Sequence, residues 1–210
     1  LSDLIITSQL NSNAYVVYGN SGLTGLNVSG GTIAASNGYK ITGQTSTGLG
    51  VSVSQAGDVN GDGLADVIMG SWTSSTSGSA YVVYGNTNRS ALSLTDGNIA
   101  ASDGFKIVGG ASSSAFGRSV SGAGDVNGDG LADLIVGAPY SDGATNSYNA
   151  GRSYVIFGSL NGAFNKTAVD QMGTSGNDTL TDGGVPQTIV AGAGNDTVTA
   201  TAADVLYGGA

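Results

Sequence analysis

The sequence predicts an all-β protein assembled from a repeated unit of short strands. Three observations carry that prediction. The 210 residues include 37 glycines, interspersed with many Ser, Thr and Asn, the composition of frequent turns between short strands. The apolar residues are rich in Val, Ile and Tyr, which favour strands, whereas Glu is absent and Lys scarce, so long surface helices have little to be built from. Finally, the ten residues Gly57 to Asp66 recur without a change as Gly124 to Asp133, 67 positions later.

Internal repeats decide the architecture. Tyr15-Val16-Val17-Tyr18-Gly19 returns as Tyr81-Val82-Val83-Tyr84-Gly85 and as Tyr154-Val155-Ile156-Phe157-Gly158. Ile33 to Ile41 returns, nearly unchanged, as Ile99 to Ile107. Asp3-Leu4-Ile5-Ile6 aligns with Asp66-Val67-Ile68-Met69 and with Asp133-Leu134-Ile135-Val136, so the unit is 63 to 67 residues long. On this alignment the chain opens on the last residue of a loop whose front half is missing, and a segment of a larger protein is expected.

Each unit reads as four strands. One precedes the loop (Ser119 to Ser121), one follows it (Leu134 to Val136), a third spans Tyr154 to Phe157, and the fourth lies around Lys106 to Val108 of the preceding unit. The two central strands are continuous apolar runs, which predicts cover on both faces. Four short strands per repeat in stacked sheets is how a propeller blade is built. About two and a half such blades fit in the chain, fewer than the four to eight that close a propeller, so the remaining blades of a parent chain are expected partners.

The pattern resembles the FG-GAP repeats of the integrin α-subunit β-propeller. Phe116-Gly117 and Gly137-Ala138-Pro139 stand on either side of the second loop. In the earlier unit Leu49-Gly50 and Gly70-Ser71-Trp72 replace them. The resemblance covers residues 1–160 and implies FG-GAP blades there, incomplete at the N-terminus.

After Ser159 the period breaks. Residues 161–172 are expected to be a connector with no Lys-Ile strand. Residues 173–210 then carry Gly176-Asn177-Asp178-Thr179-Leu180 and Gly194-Asn195-Asp196-Thr197-Val198. These resemble the glycine-rich nonapeptides of RTX, or haemolysin-type, proteins, in which turns bind Ca²⁺ and a large apolar residue fills a parallel β-roll. The aspartate and apolar positions step along as Asp178/Leu180, Gln187/Ile189, Asp196/Val198 and Asp204/Leu206. The fold class expected is therefore all-β: a partial β-propeller followed by the start of an RTX-type parallel β-roll, cut inside a repeat.

The duplicated loop is a candidate cation site. Its ligand set would be Asp58, Asn60, Asp62, Leu64 (through its carbonyl) and Asp66, matched by Asp125, Asn127, Asp129, Leu131 and Asp133. Oxygen donors at alternate positions around a bend suit a hard cation, and the lack of nitrogen and sulfur donors argues for Ca²⁺ over zinc or copper. The sixth loop residue, Gly63 or Gly130, permits a left-handed turn that folds the ligands back. An EF-hand would need Glu at position 12, where Met69 and Val136 stand. Turn formation alone also draws Asp, Asn and Gly together; two identical copies feeding apolar strands favour the cation reading. Asp178, Asp196 and Asp204 are the candidate ligands of the C-terminal turns.

The net charge of −9 comes from aspartate alone, and ten of the fifteen copies fall at these motif positions. Six scattered basic residues give no footprint for nucleic acid, and no apolar run is long enough to insert in a membrane. His, Cys and Glu are absent, which removes the usual acid–base and thiol catalysts and argues against an enzyme. Lys40 and Lys106, at equivalent positions, read as solvated strand-edge residues. Arg118 reads as a surface or loop contact, and Trp72 as core filling or an exposed stacking residue. The expected function is a calcium-binding structural or adhesive module of a bacterial secreted or surface protein, with extracellular protein or glycan ligands. The RTX resemblance implies type I secretion. The alternative is an accessory region beside the catalytic domain of a secreted hydrolase.

Overall fold

The computed structural model describes residues 3–19, 28, 31–44, 47–73, 77–87, 91–94, 97–109, 114–141, 150–160, 166–169, 171–172, 177–181, 184, 188–191, 195–201 and 205–207. Pro186, Gln187 and Asp204 lie outside them, as do Gly176 and Gly194 of the C-terminal turns.

Three four-stranded sheets follow the repeat. In the first, β1 (Leu4–Ser8), β2 (Asn13–Val17) and β3 (Gly38–Thr42) form an antiparallel meander. The second begins with β4 (Leu49–Gly57), β5 (Asp66–Ser71) and β6 (Ser79–Val83). From there β7 (Ala91–Ser93) crosses back to pair in parallel with β3, and β8 (Gly104–Val108) returns to complete the second sheet beside β6. The third runs β9 (Ser119–Gly124), β10 (Asp133–Ala138), β11 (Arg152–Ile156) and β12 (Lys166–Val169), all antiparallel. Among the described residues none of the sheets closes on itself.

All six residues of β5 are buried, as its uninterrupted apolar run predicts for a strand covered on both faces. The core lies between sheets rather than within one. A first cluster joins Ala14, Val16, Tyr39 and Ile41 of the first sheet to Val67, Met69, Tyr81 and Val83 of the second. A second joins Ile68, Ala80, Val82 and Ile107 to Leu134, Val136 and Ile156 of the third. Alternate residues of one strand therefore serve opposite neighbours, Val67 and Met69 backward and Ile68 forward, as the two-residue period of a strand requires.

The strands differ in extent from the sequence reading. β9 continues to Gly124, and β10 spans Asp133–Ala138. The larger correction concerns residues 161–172, which hold two strands where a plain connector was expected. β12 pairs with β11 across Ser153↔Val169 to Ile156↔Lys166, taking the edge that β8 occupies in the second sheet. The physical reason is that a ladder is satisfied by any backbone that supplies N–H and C=O groups, so Lys-Thr-Ala-Val fills the place without repeating the Lys-Ile motif.

β13 (Gln171–Met172) then opens a different arrangement. It pairs in parallel with β15 (Thr188–Val190), which pairs with β17 (Val205–Tyr207). Between them β14 (Thr179–Thr181) and β16 (Thr197–Thr199) form a second parallel pair. Strands thus alternate between two parallel sheets. Thr179↔Thr197 are 18 residues apart and Ile189↔Leu206 are 17 apart, matching the nine-, nine- and eight-residue steps of the sequence. Ile189 is fully buried, whereas Leu206 is half exposed.

Candidate metal-binding loops

Each duplicated loop leaves its first strand through a glycine with positive φ, Gly57 at 76° and Gly124 at 73°. The ladder shifts register there, so the chain bulges outward before returning as β5 or β10. At the sixth loop position Gly63 has φ 84° and Gly130 φ 87°, the left-handed conformation that L side chains resist.

The first loop is held by its own side chains. Asp58 Oδ1 accepts the backbone N–H groups of Gly61 (2.7 Å) and Asp62 (3.1 Å), and its Oδ2 accepts that of Gly63 (2.8 Å). Asn60 Oδ1 accepts the Asp62 N–H at 3.0 Å, while Asn60 Nδ2 donates to Asp62 Oδ2 at 2.9 Å. Asp62 Oδ1 accepts the Leu64 N–H at 2.8 Å. The second loop repeats every bond with Asp125, Asn127, Asp129 and Leu131.

The ninth residue behaves differently. Asp66 is 1% exposed and Asp133 0%. Asp66 Oδ2 accepts the Val59 N–H at 2.9 Å and its Oδ1 the Gly85 N–H at 2.8 Å. Asp133 does the same with Val126 (2.7 Å) and Gly158 (2.8 Å). Burial is the main cause that lifts the Asp66 carboxyl from 3.8 to about 6; the two N–H bonds oppose it, and Asp62 and Asp58 add to it. Asp133 is raised for the same leading reason, against bonds from Gly158, Val126 and Asn127 and with Asp129 adding. The ninth aspartate therefore clamps the loop to a glycine just beyond the third strand of the unit. The recurring Tyr-Gly and Phe-Gly after that strand was the sequence signal for this clamp, and Asp3 bonding the Gly19 N–H at 2.8 Å is its third instance.

Among the described residues no three acidic side chains converge into a ready cluster. The donor chemistry nevertheless fits a hard cation. A carboxylate offers about four lone-pair sites; the bonds above occupy three on Asp58 and two each on Asp62 and Asp66. Asp58, Asn60, Asp62 and Asp66 would hold such an ion with spare acceptor capacity, and it would supply the positive charge that three neighbouring carboxylates lack.

In the C-terminal region, turns one coil apart are stacked. Asp196 Oδ1 accepts the Asp178 N–H, and Asn177 Oδ1 accepts the Asn195 N–H, both at 2.9 Å. Asp178 and Asp196 thus occupy equivalent places one coil apart; Asp204 lies outside the described residues.

Three other sequence readings are resolved. Lys106 is not a solvated edge residue: its Nζ donates to the Gly97 carbonyl at 2.9 Å and lies 5.4 Å from the Tyr81 ring centroid. Trp72 is half-buried rather than core filling. It meets Tyr140 edge-on at 6.2 Å, and the Arg118 guanidinium lies 4.8 Å from its ring and 5.6 Å from that of Tyr140.

The family model of the FG-GAP repeat matches residues 116–156. That span runs from Phe116, fully buried against Tyr154, through β9, the second loop and β10 to the end of β11. No curated protein matches the chain. The matched stretch is thus similar to an FG-GAP repeat, and the second sheet shares its strand order and its loop.

Proposed function

We propose that the chain is a calcium-dependent structural and adhesive module: blades of an FG-GAP β-propeller joined to the first coils of an RTX-type β-roll, working outside a bacterial cell after type I secretion. The observation that carries this reading is the pair of identical loops. Each gathers two aspartates and an asparagine on one turn by the same hydrogen bonds and retains unused carboxylate acceptor sites. Calcium is the ion of choice because all donors are hard oxygens. The family match at residues 116–156 supports the blades. The alternating parallel strands and the stacked Asp178 and Asp196 support the roll.

The role assigned to calcium is constructional. The first loop also bonds the next sheet: the Ala132 N–H donates to the Asp58 carbonyl at 3.0 Å and the Ser159 N–H to the Val59 carbonyl at 2.9 Å. Fixing the loop therefore fixes the junction between sheets. Without a cation the acidic loops repel themselves, and binding free energy becomes folding free energy. Extracellular protein or glycan ligands and the further blades of a parent chain are the proposed partners, and no catalytic role is assigned.

Calorimetric melting with calcium, magnesium and EDTA tests the reading. Calcium should raise Tm well above the EDTA value, with magnesium well short of that effect, and Asp62→Asn with Asp129→Asn should remove most of the difference. Equal Tm in calcium and EDTA would sink it.

A further inference from the structure

The second aspartate loop lies directly on the first. Leu131 and Ala132, which stand between Asp129 and Asp133, make the contact. The Ala132 N–H donates to the Asp58 carbonyl at 3.0 Å. A Cβ built on Gly57 would stand 2.5 Å from that of Ala132, and one on Gly61 would stand 3.2 Å from Leu131 Cδ2. Two residues of one candidate cation site are thus packed against the turn of the other.

A path of three hydrogen bonds also joins the two ninth aspartates. Asp66 Oδ2 accepts the Val59 N–H at 2.9 Å, and the Val59 carbonyl accepts the Ser159 N–H at 2.9 Å. The adjoining Gly158 N–H donates to Asp133 Oδ1 at 2.8 Å. Val59, Asp66 and Asp133 are buried, so water is a poor substitute for these bonds when a partner moves. Gly158 is where the loops meet. A Cβ added there would lie 2.6 Å from Leu131 Cβ, 2.8 Å from the Ala132 carbonyl oxygen and 3.1 Å from that of Val59.

We propose that the two loops order as one unit and take up calcium with positive cooperativity. The calcium part rests on the reading given under Proposed function; the coupling rests on the contacts above. Leu131, whose carbonyl is a candidate donor, and Asp133 belong at once to the second site and to its contact with the first. Fixing them fixes the carbonyls of Asp58 and Val59, and fixing the first loop holds Ala132 and Ser159 in turn. The ordering of the shared contact is incurred once, so the second ion to bind meets a loop already set. Six loop aspartates carry more charge than two divalent ions, so repulsion between the ions does not reverse the sign. The coupling is reciprocal: each loop raises the affinity of the other by the same factor.

Calcium titration of the full chain followed by NMR tests it, with the amides of Gly61 and Gly63 reporting the first loop and those of Gly128 and Gly130 the second. Disabling the second loop with Asp125→Asn and Asp129→Asn should raise the calcium concentration that half-saturates the first about fivefold or more. Asp58→Asn with Asp62→Asn should do the same to the second. In a Gly158→Ala background, which changes no charge, both loops should still fill while the factor drops to about twofold or less. Leu131→Ala, which keeps the backbone donors and acceptors, should reduce it likewise. Half-saturation that moves by less than about twofold in the parent chain would overturn the proposal, as would a factor that both backgrounds leave intact. If the loop amides do not respond to calcium, the calcium reading fails and the coupling is decided in EDTA. Asp125→Ala removes the acceptor of three backbone N–H groups in the second loop. Faster amide exchange at Gly61, Asp62 and Gly63 in that variant sustains the coupling, and unchanged exchange overturns it.

Discussion

The backbone N–H of Gly85 donates to Asp66 Oδ1 at 2.8 Å, tying the start of β5 to the residue beyond β6. Its other oxygen holds Val59 at 2.9 Å, so one buried carboxylate fixes three points of the unit. Asp133 with Gly158 and Asp3 with Gly19 repeat the tie at 2.8 Å.

Asp66→Ala should therefore destabilise the chain even with no divalent cation present. The substitution leaves two backbone N–H groups without their acceptor, at roughly 1–3 kcal/mol for each buried donor. A loss of about 2–6 kcal/mol is expected from urea unfolding in EDTA. Asp66→Asn, which keeps one acceptor oxygen, should lose less. A change of under about 1 kcal/mol for Asp66→Ala would reduce the residue to a cation ligand with no clamp role.

The pH dependence follows from the same carboxylate. Its pKa is raised in the folded chain, to about 6 from 3.8, so between those values the folded state binds the proton and the unfolded state does not. Stability then falls as pH rises. In EDTA the contribution of Asp66 should be fully present below pH 3.8 and lost as pH rises through about 6, levelling off above. Subtracting the Tm–pH curve of Asp66→Asn from that of the wild type isolates this group. A difference curve that rises over the same interval would contradict it.

The repeat, the loops and the order of the strands were legible because they are local. Identical decapeptides, Tyr-Gly or Phe-Gly after each third strand and a nine-residue step are all visible along the chain, and the sheets and parallel pairs follow them. What was not legible is set between units. Lys-Thr-Ala-Val gives no sign that it takes the outer edge of the third sheet, because backbone pairing is tolerant of side chains. Trp72, Arg118 and Tyr140 meet from two different sheets, and no sequence spacing announces that contact. The ninth aspartate read as one more ligand of its loop. Its partner Gly85 lies 19 residues on, so the clamp shows only once the strands are paired.

Identical sequence also hides unequal energetics, and Val59 and Val126 measure it. Both follow the first loop aspartate, but Val59 is completely buried between the second and third sheets, whereas Val126 is only half-buried beside Val155 and Phe157. Truncating Val59 to Ala removes two methyl groups' worth of packing and leaves a cavity, with an expected loss of about 2 kcal/mol. Val126→Ala should lose less than half of that, since much of its surface already meets solvent. Chemical unfolding of the two variants at one calcium concentration provides the comparison. Equal losses would mean that the valines act within their own loops, and that the Asp58 loop does not hold the second and third sheets together.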